Sequence, residues 1–167
     1  SLISGNDFQH IWTSAIAMTA GTNDNRVTNN VVDRSGEVFV QYGAIDMQES
    51  ANNQIDHNTI TNVPRFGISE INYDPGNPSG GNTIEYNDIR HSGQQTPDVG
   101  AIYLFSAHDP GAAGDIIRYN NIVDTGGLNT KAGGFAENWS SGIYLDNMAG
   151  NAQIYGNFVQ GTTFSGI

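Results

Sequence analysis

Apolar positions come in short alternating runs, each broken by an asparagine. Asn6, Asn30, Asn58, Asn87, Asn120 and Asn157 follow an apolar residue three positions earlier (Ile3, Val27, Ile55, Ile84, Ile117, Ile154). They precede another two positions later (Phe8, Val32, Ile60, Ile89, Ile122, Val159). A second column, Ile16, Ile45, Ile68, Ile102, Ile143 and Ile167, carries Gly or Ala immediately before each member. Residues 81–104 show the whole plan: an alternating run, an asparagine, a polar connection and a second run. Successive asparagines are 24, 28, 29, 33 and 37 residues apart, a repeat period that lengthens along the chain.

Alternation with a period of two predicts β-strands, two short ones per repeat. One copy cannot bury its apolar side alone, whereas stacked copies share an interior. The asparagine is expected at the turn between strands, in a left-handed conformation and bonded to its neighbours along the stack. The predicted fold is all-β, a right-handed parallel β-helix solenoid of about five to six coils. Scarce leucine and the lack of a 3.6-residue period exclude leucine-rich and helical repeats. The chain ends at Ser165-Gly166-Ile167, within what reads as another copy. Residues 1–167 are therefore expected to be a single β-helix segment of a longer solenoid, truncated at one or both ends.

Composition sharpens this picture. Apolar content is 37%, with 21 glycines and a single lysine, Lys131, which suits tight turns and short strands. A net charge of -11 argues against nucleic acid and an anionic membrane surface as partners. Absence of cysteine excludes disulfides and thiol chemistry. No apolar run approaches membrane-spanning length. The long inserts, residues 73–81, 106–114 and 126–140, all fall at connections, where a rigid solenoid can project binding groups; the third carries Phe135, Glu137 and Trp139.

Four phrases carry a resemblance. They are His57-Asn58-Thr59-Ile60, Gly81-Asn82-Thr83-Ile84-Glu85-Tyr86-Asn87-Asp88-Ile89, Asp98-Val99-Gly100-Ala101-Ile102-Tyr103 and Gly142-Ile143-Tyr144-Leu145-Asp146. Over residues 53–157 the chain resembles right-handed parallel β-helix proteins of the pectate-lyase-like superfamily. More narrowly, it is similar to β-helix glycoside hydrolases of the α-fucosidase and xylanase type. The first two phrases are fold signals. The last two imply a pair of catalytic aspartates, which fall on Asp98 and Asp146. The insert at residues 106–114 departs from the family's pattern. The resemblance further implies a secreted or extracellular bacterial protein acting on a poly- or oligosaccharide. The same phrases also occur in β-helix proteins with no assigned activity, including secreted proteins with calcium-binding repeats.

Glycosidic hydrolysis needs two convergent carboxyl groups. Counting from the second column, Asp46, Tyr103, Tyr144 and Asp146 share one outward face by alternation. Asp98 lies four residues before its isoleucine and Asp146 three after. In extended chain that offset is about 23 Å, too far for hydrolysis, so the pair requires a curl at Pro97-Asp98-Val99-Gly100. Glu70 is a third candidate acid. It falls at an inward position shared with Met47 and Leu104, so a bulge must turn it outward or a partner must satisfy it, unless the register is misaligned.

Tyr103, Tyr144 and Trp139 are candidate sugar-stacking residues, with Tyr73 nearby, and Asp46 a candidate polar contact. His91 and His108 flank the Asp98 coil and could orient a hydroxyl or carry a proton. His57 reads as structural. Histidine spacing supplies no zinc motif. No cofactor is expected. Calcium is the one metal the oxygen-rich turns could take, although Asp24, Asp74, Asp109, Asp115 and Asp124 read as solvated turn residues. Two functions remain open. One is a glycoside hydrolase-like enzyme, with a polysaccharide lyase or epimerase as its variant. The other is a non-catalytic spacer, adhesin or glycan-binding rod.

Overall fold

The computed structural model describes residues 1–77, 79–107, 114–126 and 139–167. Among them the chain winds through three strands per coil, not two. The first coil holds β1 (Leu2–Ser4), β2 (Asp7–Ile11) and β3 (Ile16–Met18). The second holds β4 (Arg26–Thr28), β5 (Val31–Ser35) and β6 (Ile45–Gln48). The third holds β7 (Gln54–Asp56), β8 (Thr59–Thr61) and β9 (Ile68–Asn72), and the fourth β10 (Thr83–Glu85), β11 (Asp88–Ser92) and β12 (Asp98–Ser106). The fifth holds β13 (Ile116–Arg118), β14 (Asn121–Thr125) and β15 (Trp139–Asn147), and the sixth β16 (Gln153–Tyr155) and β17 (Phe158–Thr162).

Equivalent strands stack in parallel into three sheets of six, six and five. The extra strand arises at the asparagine: the runs before and after it belong to different sheets. Register follows the sequence columns, pairing Ile3, Val27, Ile55, Ile84, Ile117 and Ile154 in the first sheet. Phe8, Val32, Ile60, Ile89, Ile122 and Val159 pair in the second, and Ile16, Ile45, Ile68, Ile102 and Ile143 in the third. The expected sixth member of that third column is corrected. Ile167 lies outside any strand and is 67% exposed, although the Ile143 N–H still donates to the Gly166 carbonyl.

The column isoleucines form one continuous core with Val27, Val32 and Met47. The asparagines form a ladder, buried at Asn30, Asn58, Asn87 and Asn120. Each Oδ1 accepts from the backbone N–H and the Nδ2 of the asparagine one coil earlier, as when Asn87 accepts both from Asn58 at 3.0 Å. The left-handed residue is not the asparagine. It is the one before it, with φ near +55° at Asn29, His57, Tyr86 and Tyr119, because that residue turns the chain and leaves the asparagine side chain pointing inward. His57, Tyr86 and Tyr119 stack outside the turn at 5.1 and 5.2 Å.

The Gly or Ala of the second column marks the corner into the third sheet. Ala44 and Ala101 point into the core together with the isoleucine that follows each, and two successive inward residues can only be accommodated at a bend. At Gly67 and Gly142 a Cβ would come within 2.7 Å of Ile89 and 2.4 Å of Val159.

Candidate active site

The outer surface of the third sheet collects the sequence-predicted groups. One outward column runs Ala17, Asp46, Ser69, Tyr103, Tyr144, and the next runs Gln48, Ile71, Phe105, Asp146. Pairing between β12 and β15 begins at Asp98 opposite Trp139 and lapses at Ala101. There the chain bends. A Cβ on Gly100 would sit 2.9 Å from the Tyr144 Cβ and 2.6 Å from the Ile102 carbonyl oxygen, so Gly100 lies against the outer face. Val99 packs with Phe66, Ile71 and Tyr103 on that same face. A corner thus lies between Asp98 and Tyr103, at a position where any residue larger than Gly100 would collide.

Asp146 is fixed through both oxygens. Oδ2 accepts from the Tyr103 hydroxyl at 2.6 Å and Oδ1 from the Asn147 N–H at 2.7 Å. Tyr103 is itself clamped, stacked on the buried Phe66 at 4.1 Å and meeting Tyr144 edge-on at 5.6 Å. Partial burial, then the Asp146 charge, push the Asp98 carboxyl above the usual carboxylate range, while Arg65 pulls it back. Burial and the bond to Asp146 push the Tyr103 phenol upward, so it stays a donor. The Tyr144 phenol is raised by burial and by both aspartates. One carboxyl inclined to keep its proton and one held in place by hydrogen-bond donors are the elements of an acid/base pair.

Beside them runs a groove of about 300 Å³, lined by Gln41, Tyr42, Gln48, Arg65, Tyr73 and Tyr103 among others. Arg65 was indistinguishable in the sequence from the other arginines. Its place next to Phe66, which carries Tyr103, becomes visible only when coils three and four are stacked.

Other predicted site residues lie elsewhere. Glu70 takes the second of its two expected outcomes, an inward acid satisfied by partners, and not a place on the outer face. It pairs in register with Met47 and Leu104 and sits inside the coil, away from Asp146, accepting from Ser79 at 2.7 Å and Asn82 at 2.8 Å. It lines a cavity of about 40 Å³ with Asp115, which is buried rather than a solvated turn residue. Desolvation, then the neighbouring Asp115, raise the Glu70 carboxyl, and burial raises that of Asp115. His91 is corrected. It ends up on β11 in the second sheet, exposed, 3.6 Å from Asp124. Asp46 shares the outer face but is 3% exposed and saturated by Ser69, Gln48 and the Gly43 segment, so it braces the sheet rather than meeting a ligand. Trp139 lies opposite Asp98 at the start of β15, stacked on Phe164 at 6.2 Å. His108, Asp109, Lys131, Phe135 and Glu137 lie outside the described residues. Among the described residues no three His, Cys, Asp or Glu side chains gather as a metal site.

The family described as Right handed beta helix region matches residues 1–167. The chain belongs to the right-handed β-helix family. No curated protein and no solved structure matches this β-helix. Family membership accounts for the winding and the sheets of the β-helix and does not by itself assign a chemistry.

Proposed function

We propose that this β-helix is a carbohydrate-active protein of the glycoside hydrolase-like kind, using Asp98 and Asp146 as its carboxyl pair. The observation that supports this reading is that the Asp146 charge acts on Asp98, 48 positions earlier in the sequence, on a face that also carries Tyr103 of the aromatic groove. Asp98, with its raised carboxyl, would protonate the leaving oxygen. Asp146, oriented by Tyr103, would activate water or attack the sugar. Tyr73, Tyr103, Tyr144 and Trp139 would offer ring faces or edges to the sugar's C–H surface. A secreted setting fits a glycan substrate. Elimination from a polyuronate is the weaker variant, because among the described residues Arg65 is the one cation lining the groove.

The test is hydrolysis of a panel of aryl glycosides and oligosaccharides by the parent chain, Asp98→Asn and Asp146→Asn. Each substitution is expected to lower kcat at least about 100-fold, the scale of a general acid or base. Hydrolysis unchanged by both would dismiss the assignment. A second reading, a non-catalytic glycan-binding rod, is favoured by the position of Asp98, an exposed residue at the start of β12. Binding without turnover in the parent would select it.

A further inference from the structure

Four of the five arginines are neutralised. Arg26 meets Asp56 at 2.9 Å, Arg34 meets Asp33 at 3.8 Å, Arg90 meets Asp88 at 2.9 Å and Arg118 meets Glu85 at 2.6 Å. Arg65 differs: among the described residues no carboxylate lies within ion-pair distance of it. Its Nη1 donates to a neutral acceptor, Gln41 Oε1, at 2.6 Å, and its Nε is buried without a partner. Its guanidinium carbon lies 4.5 Å from the centroid of the Phe66 ring. The guanidinium is thus held against an aromatic ring in the groove, feeling the Asp98 charge but paired with no carboxylate among the described residues, so it keeps donors to offer an anion.

We infer that Arg65 makes the groove selective for a glycan carrying an isolated anionic substituent, a carboxylate or a sulfate ester. The inference rests on the groove being the glycan site. A guanidinium fork matches either planar carboxylate or sulfate oxygens. The remainder of the molecule, at net charge -11, repels a polyanion, so one cation in an acidic field suits a sparsely charged chain rather than a densely charged one. There is a chemical corollary. Arg65 is the charge that draws the Asp98 carboxyl down. An anion seated on Arg65 cancels that pull and favours protonated Asp98, the form needed to assist a leaving group.

Methyl glucoside, methyl glucuronide and glucose 6-sulfate, titrated into the isotopically labelled chain and followed by amide NMR shifts, test this. Anionic sugars are expected to bind about tenfold tighter than the neutral one at low salt, the order of one charge-assisted hydrogen bond. That margin should shrink in 0.5 M NaCl. It should vanish in Arg65→Gln and persist in part in Arg65→Lys, with retained amide dispersion reporting that both variants fold. Whichever anion binds tighter identifies the substituent. Equal binding of neutral and anionic sugars, or a preference that Arg65→Gln keeps, overturns the inference and spares the glycan reading. No shifts in groove residues with any sugar overturns both.

Discussion

Replacing Asn87 with alanine tests what holds one coil to the next. Its side chain makes four hydrogen bonds. Oδ1 accepts from the Asn58 N–H and Nδ2, each at 3.0 Å, and Nδ2 donates to the Ile55 carbonyl at 2.8 Å and to Asn120 Oδ1 at 3.0 Å. Two of the partners keep another bond: Asn58 Nδ2 still reaches the Val27 and Asp56 carbonyls, and Asn120 Oδ1 still accepts from the Asn87 N–H. The Ile55 carbonyl keeps its place in the parallel ladder between β7 and β10, whereas the Asn58 N–H is left buried without a partner. At about 1–3 kcal/mol for a stranded group, plus the smaller loss of the remaining side-chain bonds, the substitution should cost about 3 kcal/mol, a large part of a domain's stability. Asn157, the last rung, makes three of the four equivalent bonds in a partly exposed coil where water can replace them, so Asn157→Ala should cost about 1 kcal/mol. Urea unfolding followed by circular dichroism, on the parent and both variants, gives the comparison. If the two substitutions cost the same, or Asn87→Ala costs under about 1 kcal/mol, the ladder is an ornament and the core alone holds the coils together.

Three further outcomes are expected. Arg26, His57 and Thr28 hold the Asp56 carboxyl down to about 2, below its ordinary 3.8, so its stabilisation is present above pH 4 and is lost as pH falls toward 2. Asp56→Asn should remove about 2 kcal/mol of that acid dependence, read from Tm between pH 2 and 5. The raised Glu70–Asp115 pair has the opposite sign: its contribution is present at low pH and is lost as pH rises past the usual carboxylate range. Glu70→Gln should therefore raise Tm more at pH 8 than at pH 4.5. A larger gain at the acidic end would contradict the raised Glu70–Asp115 pair. In Asp146→Asn the charge that raises Asp98 is gone, so carboxyl-detected NMR should find Asp98 titrating at lower pH than in the parent. An unmoved titration would mean the two acids do not converge.

The columns of isoleucine and asparagine were legible because a stacked fold repeats its burial pattern in the sequence itself. Two aspects were hidden. The asparagine was visible as a turn, but its role as an inward acceptor, with left-handed strain passed to His57, Tyr86 and Tyr119, depends on which of two neighbouring residues bends. Bulky residues are poor sequence signals for positive φ. In the site, Tyr103, Tyr144 and Asp146 could be placed on one face by counting from Ile102 and Ile143. Asp98 could not, because its position turns on a corner at Gly100 that counting along an extended strand cannot express. Glu70 was correctly registered as inward, yet its partners Ser79, Asn82 and Asp115 come from the next turn and the next coils, so only the three-dimensional stack explains how a buried acid is tolerated there.

Coil lengths vary from 24 to 37 residues between neighbouring asparagines, and the columns still keep step. Pitch is therefore set at two corners of the winding, the asparagine turn and the run Asn25, Asn53, Asn82 and Asp115 ahead of the first sheet, by groups that hand a hydrogen bond from each layer to the next, while surplus chain enters between those rungs. Such a molecule separates the task of measuring distance along its axis from the task of presenting chemistry. A loop exchanged at residues 73–81 should alter what the groove touches without displacing Tyr103 relative to Tyr144, whose offset is dictated by the rungs beneath them.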